Sequence, residues 1–342
     1  MSLRDFIAGM PKAELHVHHV GSASPEVVAE LAARHEGSTA VPADPDLLRD
    51  FFDFRDFAHF IEVYVAVVDL LRDAEDIRAL TYGVARDMAR QHIRYAELTV
   101  TPYLTLMKGI PEPAFIEAIE DARRTAERDF GIVLRWCFDI PGEEGLPAGE
   151  ATARFAVEHA PDALVSFGLG GPEAGWPRPQ FKPFFDRARA AGLHSVPHAG
   201  ETTGPETVWD ALTYLGAERI GHGIAAARDP RLLDHLGEHG IALEVCPTSN
   251  IATRAVATLA EHPLRELVDA GVLVTVNSDD PPMFGTDLTN EYLVAARLLG
   301  LDEAGVTGLA KNAVRASFLG EADKARLTAE IDGHLRAATG HS

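Results

Sequence analysis

The chain has 342 residues, 46% of them hydrophobic and 24% charged, a composition that can bury a sizeable core and excludes global disorder. Its 52 Asp and Glu against 31 Lys and Arg leave a formal net charge of −21. So acidic a surface excludes nucleic-acid polymers and anionic membranes as partners, while a neutral nucleoside remains admissible. The two cysteines, Cys137 and Cys246, are too few for a disulfide framework and fit a reducing compartment. The N-terminal MSLRDFIAGMPKAEL lacks a signal-peptide core, and no run approaches the roughly 18 apolar residues of a membrane span. The expectation is a cytoplasmic, soluble protein.

Along the chain, short β-branched runs alternate with longer amphipathic stretches. The predicted strands are 13–18, 94–101, 131–140, 163–170, 194–200, 219–223, 241–247 and 272–280; the helical pattern is clearest at 25–35, 113–129, 181–192 and 230–240. Eight such units in a chain of this length read as an α/β protein of (β/α)8 type, a single TIM-type barrel domain spanning 1–342. An open doubly wound sheet is the competing reading, but the first strand ends in HVHHVGS rather than in a G-x-G-x-x-G turn. Residues 40–92 are extra helical material after strand 1, long enough to form a lid over a barrel mouth.

A barrel enzyme places its chemistry at the C-terminal ends of its strands, and unusual polar residues fall there. Strand 1 carries His16 and His18, strand 5 ends in His198 with Glu201 beyond, strand 6 ends in His222, and strand 8 ends in Asp279 and Asp280. With 15 histidines in the chain, one H-x-H pair carries little weight alone. Alternate strand residues share a face, so His16 and His18 can both look into the barrel, as two ligands of one metal must. Three imidazoles and a carboxylate suit Zn²⁺. Some barrels hold two ions bridged by a modified strand-4 lysine, but strand 4 here, ALVSFGLG, has none, so one ion is expected.

The blocks PKAELHVH (11–18), GLGGPE (168–173), VPHAGE (196–201), RIGHG (219–223), CPTSN (246–250) and NSDDP (277–281) resemble those of the adenosine deaminase family of zinc aminohydrolases, from about Pro11 to Phe318. The resemblance implies the barrel fold and a set of roles. His16, His18, His198 and Asp279 would bind one Zn²⁺. Glu201 would protonate the purine ring nitrogen beside the reacting carbon. His222 would hold and polarise the attacking hydroxide, and Asp279 would take the proton of the attacking water. Asp280 would bond the five-membered ring, and the Gly171 N–H the other side of the base. The helix carrying Phe57, Phe60, Ile61 and Tyr64 would wall the ribose side.

Four positions depart from the family pattern. Val20 stands where an Asp would accept the ribose 5′-hydroxyl; a buried hydroxyl facing valine costs about 1–3 kcal/mol, which handicaps adenosine about 10- to 100-fold against a nucleoside with an apolar 5′ group. Thr99 replaces an Arg, His19 a Leu, and Arg254 a Gly after CPTSN-x-x-Thr. An added Arg and His near the barrel mouth could bind a carboxylate. These departures, and HVHHVGSASP itself, resemble the branch acting on 6-amino-6-deoxyfutalosine, an adenine nucleoside whose 5′ position carries a benzoate-bearing chain and whose deamination is a step of menaquinone synthesis. The alternatives are adenosine in purine salvage and 5′-methylthioadenosine; adenine is disfavoured because its branch has an acidic residue near Val20. A non-catalytic purine-binding barrel and an amidohydrolase acting on amides or phosphotriesters complete the field. The expected partner is a small adenine nucleoside; the oligomeric state stays open.

Overall fold

A computed structural model describes residues 1–53 and 57–340, the side chains of Phe57 and Ala58 excepted. Eight parallel strands follow one another in sequence order around a (β/α)8 barrel. They are β1 (Lys12–His18), β2 (Ile93–Val100), β3 (Val133–Pro141), β4 (Leu164–Gly170), β5 (His194–Ala199), β6 (Arg219–His222), β7 (Ala242–Val245) and β8 (Val274–Val276). Strands covered on both faces need apolar side chains on both faces, and β6, β7 and β8 are buried at every position.

β8 is shorter than the expected 272–280, and the reason is how the barrel closes. After Val276 the pairing passes to a side chain: Asn277 Oδ1 accepts from the N–H groups of Leu15 and His16 at 2.9 and 3.2 Å. Asp279, at φ 66°, then rejoins β1 through the bonds Asp279 N to His16 O (3.1 Å) and His18 N to Asp279 O (2.9 Å). The last strand is tied to the first right beside the histidines.

The predicted helices form at Pro25–Arg34, Glu112–Phe130, Lys182–Ala190 and Pro230–His239. The first starts at an N-cap Ser24 with proline next, and the second stops at Gly131 in the left-handed region, as start and stop chemistry requires. Between β1 and β2 lie helices Pro45–Phe51, Phe57–Val68 and Ala74–Arg90. Ala74–Arg90 belongs to the outer ring, packing on Glu112–Phe130 with Tyr82 and Phe130 rings 5.2 Å apart. Phe57–Val68 instead places Phe60, Ile61, Tyr64 and Val65 on a cavity at the barrel mouth. Among the described residues no helix is long and apolar enough to cross a membrane.

Candidate active site

Three charged residues buried within the strands are joined by ion pairs, Glu97 and Glu244 each to Arg219, and their contacts lead to the mouth. Arg219 on β6 donates Nε–H to Glu244 Oε1 on β7 (2.6 Å) and its terminal nitrogens to Glu97 on β2, and sits 3.9 Å above the Phe318 ring. Burial opposes ionisation of Glu244, but Arg219 and His16 hold its carboxyl below the usual range. Glu244 Oε2 in turn lies 2.9 Å from His16 Nδ1. A proton on Nδ1 leaves the Nε2 lone pair pointing into the barrel, and Nε2 has no hydrogen-bond partner although it is buried.

That lone pair is not alone. His18 Nε2 lies 3.3 Å from His198 Nε2 and 3.2 Å from Asp279 Oδ1, and His16 Nε2 is 3.6 Å from the same oxygen. Ligand atoms of His16, His18, His198 and Asp279 fall within 4.8 Å of one another. Imidazole lone pairs and a carboxylate converging without enough donors are an arrangement a cation satisfies, so these four residues fit a metal. A second grouping replaces His18 and His198 by His222 and Cys246. Burial pushes the Cys246 thiol far up, and its Sγ faces the Glu244 carbonyl at 3.6 Å, so the three-histidine set is the better donor set.

His222 ends β6. Its backbone is left-handed at φ 59°. Its Nε2 faces Glu201 Oε2 and Asp279 Oδ2, each 3.7 Å away. The hydrogen bonds behind it run one way only. The Leu264 N–H donates to His262 Nδ1 (3.1 Å), so His262 carries its proton on Nε2 and gives it to Asn250 Oδ1 (3.2 Å). The Asn250 amide must then donate to His222 Nδ1 (3.2 Å), which puts the His222 proton on Nε2, towards the site. Burial, reinforced by His16, pushes His222 down to about 3, so it is neutral.

Glu201 is positioned by its own backbone: its N–H and that of Gly200 donate to Glu173 at 2.9 and 3.2 Å, and the Thr203 hydroxyl joins them. The Thr253 hydroxyl lies 3.0 Å from Glu201 Oε1. Burial, helped by the Asp279 and Glu173 carboxylates, pushes Glu201 up to about 8, so the carboxyl can hold a proton at pH 7. Ser249 donates to Asp279 Oδ2 at 2.6 Å, leaving Oδ1 to the histidines. Asp280 is pushed up to about 7 by burial and by Asp279, and its buried Oδ1 has no partner. It packs where Gly21 has no side chain; a Cβ there would overlap the carboxylate.

These groups line one cavity of about 300 Å³. His18, His198, Glu201, His222, Asp279, Asp280 and Gly171 are among its lining, with Phe60, Ile61 and Tyr64. Gly171, at φ 78°, lies against the Glu143 carboxylate, which fills the space its side chain would take. Val20 is placed apart: it lines a small recess next to the cavity, sharing Tyr64, Thr101 and Leu104 with it. His19 is buried, bonded through Nε2 to Thr81 (2.8 Å) and pushed down to about 4 by burial, so it is no cation for a carboxylate. Arg254 lines a separate groove. The side chain of Phe57 lies outside the described residues.

This geometry has counterparts among known proteins. The adenosine deaminase family profile matches residues 11–334. The chain belongs to the adenosine deaminase family. Members of this family are aminohydrolases, and its metal-dependent chemistry agrees with the cluster of three histidines and Asp279. The chain is 69% identical to an aminodeoxyfutalosine deaminase from Streptomyces avermitilis over 98% of this chain and 94% of that one. Its fold matches an adenine deaminase from Arthrobacter aurescens with TM-score 0.89 and 31% identity, covering 96% of this chain and all of the other. An amidohydrolase from Burkholderia ambifaria, solved with bound Zn, matches with TM-score 0.89 and 26% identity over 99% of this chain and 96% of that one.

Reading the motifs as a deaminase site left out the residues that hold it: Glu244, Arg219 and Glu97 behind His16, Glu173 behind Glu201, and Asn250 with His262 behind His222. A signal was present for Glu244, the one charge in the otherwise apolar strand ALEV, which burial obliges to find a partner.

Proposed function

We propose that this protein hydrolyses the 6-amino group from 6-amino-6-deoxyfutalosine, releasing ammonia and the 6-oxo nucleoside. The observation that carries the chemistry is the convergence of His16, His18, His198 and Asp279 beside a protonatable Glu201 and a neutral, Nε2-protonated His222. One Zn²⁺ held by the three histidines and Asp279 would supply the acidity that yields a nucleophile from water at neutral pH.

The chain's own groups do the rest. Asp279 Oδ2 takes the proton of the attacking water and passes it to the departing amine, which leaves as ammonia, while the proton left on the added hydroxyl returns to Glu201; His222 Nε2–H holds the attacking oxygen in line. Glu201 delivers a proton to the ring nitrogen beside C6, removing electron density from the carbon under attack. Asp280 Oδ1 bonds the five-membered ring, and Gly171 N–H donates to the far edge of the base. Phe60, Ile61 and Tyr64 on the helix Phe57–Val68 cover the sugar side and exclude water, the role of a lid.

The substrate choice rests on the 69% identical relative and on Val20. The recess at Val20 is lined mainly by Tyr64, Val68, Leu71, Leu104 and Phe115, with Thr99, Thr101 and Thr105 among them; Thr101 already donates to Asp139, and His19 already bonds Thr81. A free 5′-hydroxyl meets an apolar side chain at Val20, whereas an alkyl 5′ arm meets a surface of its own kind. The deciding assay compares kcat/KM of the zinc-loaded protein for aminodeoxyfutalosine, 5′-methylthioadenosine and adenosine. Aminodeoxyfutalosine should lead adenosine by about 10- to 100-fold or more. A lead by adenosine removes the substrate assignment and makes this a purine-salvage enzyme; no deamination of any of the three removes the reaction.

A further inference from the structure

Beside the catalytic cavity runs an open groove of about 540 Å³. Phe284 is a wall of both, and its ring packs 5.2 Å from that of Phe60 in the cavity. The groove is lined by Phe52, Met283 and Phe284, by Asp53 at its rim, and by two arginines, Arg49 and Arg254. It extends to Pro25, the first residue of the helix Pro25–Arg34. A substituent that leaves the catalytic cavity past Phe284, the wall the two share, enters this groove.

Arg254 is the informative residue. It lies just beyond the helix Pro247–Ala252 with φ 61°, in the left-handed region that L-residues avoid and glycine enters freely. Glycine is the residue the family pattern puts there. A backbone conformation suited to glycine, kept with an arginine in it, points to a use for the side chain. Arg254 stands at the surface with contacts of its own, and Arg49 bonds Asp46 at 3.0 Å with both side chains largely exposed. Exposed ion pairs of that kind exchange readily for a better carboxylate partner. Two guanidinium groups in a groove lined by Phe52 and Phe284 offer a carboxylate-bearing aryl arm partners that a neutral arm cannot use.

We propose that this groove is the subsite for the carboxylate-bearing aryl end of the nucleoside's 5′ arm, with Phe52 and Phe284 flanking the ring and Arg254 and Arg49 taking the carboxylate. The proposal rests on the nucleoside reading above and names which group of that substrate is recognised, and by what.

The test is the ratio of kcat/KM for aminodeoxyfutalosine to that for 5′-methylthioadenosine, which has no carboxylate, in the wild-type protein and in Arg254→Gly, Arg254→Lys and Arg49→Ala. Arg254→Gly should lower the ratio by about 10- to 100-fold, through KM for aminodeoxyfutalosine. Arg254→Lys should recover part of it, and Arg49→Ala should lower it by a smaller factor. Glycine suits the left-handed backbone, so the melting temperature of Arg254→Gly should not fall, which separates lost recognition from lost folding. A wild-type preference that survives Arg254→Gly overturns the subsite and leaves the substrate assignment standing. No wild-type preference for aminodeoxyfutalosine overturns the substrate assignment and the subsite with it.

Discussion

Replacing Asn250 by Asp tests whether the tautomer of His222 is set from behind. The exchange keeps size and shape but turns the amide, which donates to His222 Nδ1 at 3.2 Å, into a carboxylate that can only accept. His262 still donates to one oxygen, so the other demands a proton from His222 Nδ1. Two outcomes follow for His222: it moves its single proton to Nδ1, or it gains a second. Burial and the neighbouring imidazoles hold it near 3. A contacting carboxylate raises a histidine by about 1–3 pH units, which is too little to charge it at pH 7. The Nε2 facing Asp279 and Glu201 is then a lone pair where a donor is needed. A wrong-tautomer histidine in a serine-protease triad costs about 10⁴ in kcat, and a misplaced general acid or base about 10² to 10⁴. The expected loss for Asn250→Asp is therefore about 10² to 10⁴ in kcat with KM little changed, read from the loss of 6-aminopurine absorbance. Metal content by mass spectrometry should match wild type, because no metal ligand is touched. Lowering the pH should recover part of the loss as His222 gains its second proton. A kcat within threefold of wild type at pH 7 would refute the hydrogen-bond polarity and leave Asn250 a packing residue.

Four further outcomes are expected. Glu201→Gln should keep fold and metal but lose turnover by about 10² to 10⁴, since the amide cannot deliver a proton to the ring; near-normal turnover removes Glu201 as the acid. Glu201 is pushed up to about 8 and works in its protonated form, which exists below that value and is lost as pH rises through it. The pH profile of kcat/KM should thus fall with one proton on its alkaline limb, at or below about 8 because a bound cation favours the carboxylate; a limb that persists unchanged in Glu201→Gln assigns it elsewhere. Glu244→Gln should weaken zinc about 10- to 100-fold in a chelator competition, because it loosens the grip on His16 Nδ1; unchanged affinity would make Glu244 a structural partner of Arg219 only. Val20→Asp should improve adenosine relative to 5′-methylthioadenosine by about tenfold, and no change in that ratio removes Val20 from the 5′ pocket.

The barrel was legible because its period is simple: a buried strand of five or so residues, a turn, an amphipathic helix, eight times over. What the pattern could not give was the end of β8. The run VLVTVNSDD reads as one strand, yet Asn277 spends its side chain on the amides of Leu15 and His16, and Asp279 turns left-handed to face the histidines. A side chain standing in for backbone leaves no trace in hydropathy. The same limit applies to His19. Beside His16 and His18, and replacing a leucine, it reads as a candidate cation at the mouth. Strand alternation turns it to the other face, where Thr81 takes its proton and the Trp136 ring lies 6.3 Å away. Glu173 and Asn250 lie within the matching motifs, but their work is done on backbone amides and on another side chain's tautomer, contacts made only once the loops have folded.

The positions of backbone strain carry a separate argument. Among the described residues, four non-glycines have positive φ: His92, His222, Arg254 and Asp279. His92 lies at the N-terminal side of β2, where it leads into the barrel floor. The other three lie at the C-terminal mouth, His222 as the last residue of β6 and Arg254 and Asp279 beyond β7 and β8, where each costs of the order of 1–2 kcal/mol against a glycine. For His222 and Asp279 the return is visible. The left-handed turn lets Asp279 bond β1 through both backbone groups while its carboxylate faces His16 and His18. It also brings His222 Nε2 within 3.7 Å of two carboxylates. Arg254 lines the groove beside the catalytic cavity, the subsite proposed for the carboxylate of the 5′ arm. If that reasoning is right, glycine at 254 should raise thermal stability and lower discrimination for the carboxylate-bearing substrate together, whereas glycine at 222 or 279 should abolish turnover on every nucleoside. A protein in which glycine at 254 gains stability and loses no selectivity would break the link between strain and function that the other two residues obey.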